Sequence, residues 1–221
     1  MYRVKEAFYT LQGEGAQAGR AAVFCRFSKC NLWNGREADR ASAVCSFCDT
    51  DFVGTDGQNG GQFATAAGLA DHIAALWPGQ GSEGSRPYVV CTGGEPLLQL
   101  DETLIQAFHQ RGFEVGVETN GTLMAPAGID WLCVSPKADA AVVINQCDEL
   151  KVVYPQALAH PEAFDHIRAT HRFLSPMASP ATPDGGSDPV KASNTRKAVD
   201  YCLAHPRWRL TVQMHKLVGI D

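Results

Sequence analysis

Short apolar runs recur along the chain, and most are apolar at consecutive rather than alternate positions. They lie at 21–27 (AAVFCRF), 87–91 (PYVVC), 113–118 (FEVGVE), 130–134 (DWLCV), 149–153 (ELKVV), 172–174 (RFL) and 209–213 (RLTVQ). Strands covered on both faces read this way, whereas a sheet with one wet face alternates. Between several of them lie segments of helical spacing, at 65–77, 101–111, 161–169 and 193–205. Thr65, Asp101 and Ser193 precede three of these and suit N-caps, because a short polar side chain there accepts from an unpaired helix N–H. Strand–helix alternation predicts an α/β fold with a parallel sheet.

Two links are too short for a full helix, at 119–130 and 136–148. A complete eight-fold barrel typically takes about 250 residues, and this chain has 221. The expected fold is therefore a trimmed, partial TIM-type barrel with parallel strands, or an open sheet. Stretches rich in Gly, Ser and Pro at 54–62, 78–87 and 178–190 read as loops. None separates two cores, so residues 1–221 are expected to form a single domain. No internal repeat or long low-complexity run occurs.

Polar groups gather just after the apolar runs: SKC after the first, then TGGEP, TNG, SPK, SPM and finally MHK. In parallel α/β folds ligands bind at the carboxyl ends of strands. Any one of these is equally well a satisfied turn; the repeated habit points to one site. In CTGGEP (91–96), two glycines permit close backbone approach and Glu95 adds a carboxylate, which suits a zwitterionic ligand. A glycine turn leading into Glu-Pro at a helix start accounts for it equally well.

The formal charge of −5 argues against a sequence-independent nucleic-acid binder. No apolar run approaches the ~20 residues of a membrane span, and the first residues lack a signal-peptide pattern. A cytoplasmic protein is expected. Eight cysteines in such a chain direct attention to metal or redox chemistry rather than disulfides. Cys25, Cys91, Cys133, Cys147 and Cys202 lie mostly in apolar segments and read as small buried hydrophobes. Cys30, Cys45 and Cys48 stand in polar, turn-like sequence. Three thiols are one short of a structural zinc site, and the first histidine is His72. Three thiolates do suit a [4Fe–4S] cluster with one iron open to a ligand.

These cysteines, with CxΦC (Φ is Phe47), GGEP and ETNG after successive strands, resemble the radical S-adenosylmethionine (SAM) superfamily. The usual CxxxCxΦC is altered here: fourteen residues separate Cys30 from Cys45. LQGEG (11–15), FCRFSKCNLW (24–33), CDTDF (48–52), VVCTGGEPLLQL (89–100), VETNG (117–121), VSPKAD (134–139) and ELKVV (149–153) together resemble the 7-carboxy-7-deazaguanine synthase family over nearly the whole chain. The resemblance implies a carbon–nitrogen lyase that converts 6-carboxy-5,6,7,8-tetrahydropterin to 7-carboxy-7-deazaguanine and ammonia by radical ring contraction, in queuosine and 7-deazapurine biosynthesis. It implies a [4Fe–4S] cluster, SAM and Mg²⁺ as cofactors, a homodimer, and an electron donor such as a flavodoxin. Another radical SAM enzyme, such as a glycyl-radical activase, is the alternative, and the long cysteine gap weighs against it.

Carried over position by position, the resemblance implies Cys30, Cys45 and Cys48 as cluster ligands on a loop at about 28–50, and Thr50 as the magnesium contact. Taken alone, the DTD at 49–51 reads as a loop with two solvated acids. Phe47, Cys48, Asp49, Gly93, Gly94, Glu95, Asn120, Ser135, Pro136 and Lys137 are implied to hold SAM. Ser175 joins them as a departure, because the family has Gln-Pro where this chain has Ser175-Pro176. Leu11, Gln12, Gly13, Arg26, Thr92 and Glu118 are the implied substrate contacts, with His215 and the terminal Asp221 from a closing C-terminal segment. Arg26 suits the substrate carboxylate because its guanidinium pairs bidentately with one. The loop 31–44 reads first as solvated, with packing over the cluster or contact with an electron donor such as a flavodoxin as the alternative.

Overall fold

The computed structural model of the chain describes residues 1–78, 86–180 and 188–220. Strands β1 (Tyr2–Leu11), β2 (Ala21–Phe27), β3 (Gly61–Phe63), β4 (Tyr88–Gly93), β5 (Glu114–Thr119), β6 (Trp131–Val134), β7 (Gln146–Tyr154), β8 (Arg168–Pro176) and β9 (Arg209–Leu210) form one sheet. Its order is β3-β1-β2-β4-β5-β6-β7-β8-β9. Every pairing from β2 onward is parallel. Only β1 is antiparallel to its neighbours, β2 and β3. The sheet does not close on itself, so this is a partial barrel, as the short links predict.

Helices α1 (Ala66–Leu76), α2 (Glu102–His109), α3 (Pro189–Ala204) and α4 (Met214–Val218) accompany it. Thr65 and Asp101 cap α1 and α2 as expected, accepting from the N–H groups of Gly68 and Leu104. Leu69 and Ile73 of α1, and Leu104 and Phe108 of α2, form one buried cluster with Val23, Cys25, Val89, Cys91, Val115 and Val117. Burial of each such side chain stabilises by about 1.5–3 kcal/mol. A second cluster joins Val134, Leu150, Val152 and Leu174 to Ala198 of α3 and to Trp208. Alternate residues of the same strands point the other way, and there lie Arg26, Thr92, Glu118, Lys151 and Ser175. Cys25, Cys91, Cys133 and Cys147 are buried as expected, and Cys202 is half-buried against the second cluster. Burial pushes all five thiols up.

Several expectations need correction. The strand β1 was not foreseen: a bulge between Val4 and Glu6 breaks its alternation. The Gly-rich stretch 54–62 runs into β3. Residues 161–169 are not a helix: only Pro161–Phe164 make a 3-10 turn, and the chain enters β8 at Arg168. Phe164 and Ile167 mimic helical spacing but fill the second cluster from a turn. Helix α3 starts earlier than 193, capped by Asp188, whose carboxylate accepts from Lys191 N, rather than by Ser193. The predicted loops at 78–87 and 178–190 fall largely outside the described residues. Among the described residues no helix is long and apolar enough to cross a membrane.

Candidate active site

The strand ends converge as the polar punctuation predicts. Cys30 follows β2, Gly93 and Gly94 end β4, Asn120 follows β5, Ser135 and Lys137 follow β6, and Ser175 ends β8; all line one cavity. The loop from 31 to 52 folds over it and adds Cys45, Phe47, Cys48, Asp49 and Thr50. Gly93 and Gly94 pass directly under the end of β2. A methyl on Gly94 would lie 2.0 Å from the Lys29 carbonyl oxygen, and one on Gly93 would lie 2.4 Å from that of Phe27. The close approach that requires glycine here is to the chain's own backbone. Two bonds fix this contact: Glu95 N donates to Lys29 O at 2.9 Å and Gly94 N to Phe27 O at 3.3 Å.

Cys30, Cys45 and Cys48 all line this cavity, and none of the other five cysteines does. The neighbouring Cys45 thiol lowers the Cys48 thiol, while Cys48 and burial push Cys45 up. Burial raises Cys30, although Leu32 N donates to its sulfur at 3.4 Å. Among the described residues no three His, Cys, Asp or Glu side chains converge closely enough to share a single ion. Three thiols spread around one cavity, with no imidazole among its walls, instead fit a multi-atom iron–sulfur cluster.

Glu95 does not reach the cavity. It is fully buried and accepts from Leu97 N at 3.0 Å, Thr119 Oγ1 at 2.7 Å and Asn120 N at 2.8 Å. It ties the ends of β4 and β5 together, and burial raises its pKa despite these three donors. Pro136 is not a wall residue either; its carbonyl accepts from Gln156 Nε2. The acids flanking Thr50 are engaged by lysines: Asp51 by Lys5 at 2.9 Å and Asp49 by Lys216 at 3.0 Å. Burial opposes ionisation of Asp49, and the Lys216 ammonium overcomes it, so its pKa is lowered.

A second cavity adjoins the first and shares Glu14, Asp49, Thr50, Thr92, Glu118 and Gln213 with it. Leu11, Gln12, Gly13, Arg26 and His215 line it. Arg26 faces inward as expected, with its Nε held by Glu6 Oε1 at 2.7 Å. Gly13 accepts from Met214 N at 3.0 Å, and a methyl on it would lie 2.0 Å from His215 Nδ1, so α4 seals this side. Burial lowers the His215 pKa. Asp221 lies outside the described residues.

Sequence reasoning missed the polar chain joining the two cavities. Gln12 Nε2 donates to Glu118 Oε1 at 2.9 Å. Lys151 Nζ reaches Glu118 Oε2 and Glu14 Oε2, each at 3.1 Å, and Ser175 Oγ donates to Glu14 Oε1 at 2.7 Å. Lys151 is buried, which alone would lower its pKa, yet Glu118 and Glu14 hold it well above the ordinary value. Burial likewise opposes ionisation of Glu14, and Lys151 with Ser175 brings its pKa down. The available signal was a lone lysine inside the buried apolar run ELKVV, since a buried lysine requires partners.

No protein-family model matches the chain. Individual relatives do. A 7-carboxy-7-deazaguanine synthase of Bordetella pertussis is 64% identical over 219 residues, which cover 99% of either chain. One of Caulobacter vibrioides is 60% identical over 219 residues with the same coverage. The crystal structure of QueE from Escherichia coli matches with a TM-score of 0.68 at 26% identity, covering 97% of this chain and 94% of that one. With likeness of this degree along its whole length, and with the three cysteines gathered at the strand ends, the chain belongs to the 7-carboxy-7-deazaguanine synthase family.

Proposed function

We propose that this chain converts 6-carboxy-5,6,7,8-tetrahydropterin to 7-carboxy-7-deazaguanine and ammonia, a step toward queuosine and related 7-deazapurines. The observation that carries the reading is the junction itself: a three-cysteine cavity abuts a polar cavity across shared walls that include Thr50, Thr92 and Glu118. Cys30, Cys45 and Cys48 would hold a [4Fe–4S] cluster. Phe47, Asp49, Gly93, Gly94, Asn120, Ser135 and Lys137 would hold SAM, with Glu95 and Pro136 acting from behind the wall and Ser175 through Glu14. When bound, the cluster and SAM supply a one-electron sulfonium cleavage that starts radical chemistry. The remainder falls to the chain's own residues.

Gln12, Glu118 and Arg26 would orient the pterin in the second cavity, with Leu11, Gly13 and Thr92 shaping its outline and Thr50 contacting Mg²⁺. Lys151, kept protonated, would hold Glu14 and Glu118 as acceptors toward the ligand. His215 and the end of α4 would exclude water. A homodimer and a flavodoxin-type electron donor complete the proposal.

The test is an anaerobic assay with reconstituted protein, SAM, reductant, Mg²⁺ and the pterin, following product by mass. Product is expected from the native chain and none from Cys48→Ala. A brown protein that cleaves SAM without forming product would overturn the substrate, and a colourless, zinc-loaded one would overturn the radical reading.

A further inference from the structure

The fourteen residues between Cys30 and Cys45 are mostly exposed, as their polarity suggests, but Trp33 among them is buried. They carry a 3-10 turn, Glu37–Ser42, and one side chain of that turn reaches back to the cysteines. Arg40 Nη1 donates to the carbonyls of Ser46 and Cys48, each at 2.9 Å. Its Nε meets both oxygens of Glu37 at 2.8 Å. Its guanidinium lies over the Trp33 ring, 4.3 Å from the centroid. Trp33 is fixed in turn by an edge contact with Phe52, 5.6 Å between centroids, and by donating Nε1–H to Arg36 O at 3.3 Å. The Arg40 side chain is only 19% exposed, while that of Glu37 is 77% exposed. The carboxylate is thus screened by water and the guanidinium is held inward.

Three tasks at once, on a plane and along two edges, are what a guanidinium does and an ammonium does not. The carbonyls it holds belong to the turn that carries Cys45 and Cys48, one of them to Cys48 itself. We propose that Arg40 is the positioning residue of the iron–sulfur loop: it fixes the Cys45–Cys48 turn and sets a permanent positive charge at the Cys48 backbone. The inference rests on the cluster reading above. Outer partners of this kind orient metal ligands, and net charge and hydrogen bonding near a cluster set its potential. A positive charge favours the reduced, more negative cluster.

Two variants separate position from charge. In reconstituted protein without SAM, Arg40→Met is expected to lose iron to a chelator about 10-fold faster than the native chain. Its cluster is also expected to titrate at a lower reduction potential. Arg40→Lys keeps the charge without the fork, so it is expected to lose iron faster while its potential stays near native. Far-ultraviolet circular dichroism of the apo proteins checks that both fold; if Arg40→Met does not, the Lys variant's iron-loss rate decides alone. Native iron-loss rates in the folded variants would overturn the positioning role. A native potential in Arg40→Met would overturn the charge role. A native chain that takes up no [4Fe–4S] cluster would overturn the underlying reading, and is distinguishable because it fails before any substitution.

Discussion

The backbone around the cysteines and the polar chain along the border of the two cavities are built by different means. The cysteine cavity is shaped largely by backbone, with glycines pressed under β2 and a loop carrying a 3-10 turn, and side-chain ties from Asn31 to Asn120 and from Asp49 to Lys216 hold that loop to distant parts of the chain. The polar chain along the border is set by charged side chains that meet across the sheet: Lys151, from the cysteine side, meets Glu14, which faces both cavities, at 3.1 Å. Local backbone can be written into a short motif. A charge network depends on every strand arriving in register. The backbone around the cysteines should therefore be sensitive to added volume, and the border chain to lost charge.

Removal of Lys151 should have the largest effect. Lys151→Met leaves Glu14 and Glu118 without their shared cation, and losing one partner of a buried pair costs about 3–5 kcal/mol. Urea unfolding measures it, and adding Glu14→Gln should recover part of the loss because the two sites are coupled. A variant within about 0.5 kcal/mol of native, the range of ordinary surface changes, would break the comparison.

A methyl tests the backbone around the cysteines. Gly94→Ala sets a carbon 2.0 Å from Lys29 O and 3.0 Å from Cys30 Cβ. Overpacking of this sort costs about 1–3 kcal/mol. Iron bound per chain should fall with it, because Cys30 must move. Full iron loading with native stability would show that this backbone yields easily.

The smallest effect distinguishes two carboxylate environments by sign. The Glu14 pKa is lowered in the folded chain, so its contribution to stability is present above the unfolded value of about 4.3 and is lost as pH falls through the folded value. The Glu95 pKa is raised, so its contribution is full below about 4.3 and is lost as pH rises through the folded value. Glu14→Gln should flatten the acid side of the stability profile. Glu95→Gln should remove a decline just above it. Equal slopes in the two variants between pH ~3 and ~6, bracketing the carboxylate range, would show that the environments do not differ.

Much of this was legible beforehand. The runs at 21–27, 87–91, 113–118 and 130–134 became β2, β4, β5 and β6 with small end shifts, because each is buried on the helix-facing side whatever its neighbours do. Thr65 and Asp101 cap as written because capping is decided within three residues. Other features resisted. The bulge hides β1, and pairing with β7 overrides the helical spacing at 161–169. Glu14 and Lys151 lay inside quoted motifs, but nothing local says that they meet.

The sequence by itself determined the alternation of strands and helices, two helix starts, the polar residues at the strand ends and the three cysteines set apart from the rest. These follow from propensity, burial and capping, which act over a few positions. Tertiary structure decided that β1 is antiparallel, that Glu95 ties two strand ends, that Arg40 holds the cysteine turn and that Lys151 joins two carboxylates. Ser175 meets Glu14 across 161 positions of sequence. Contacts of that span exist only after the sheet is ordered, since each requires loop closure that no local preference can supply.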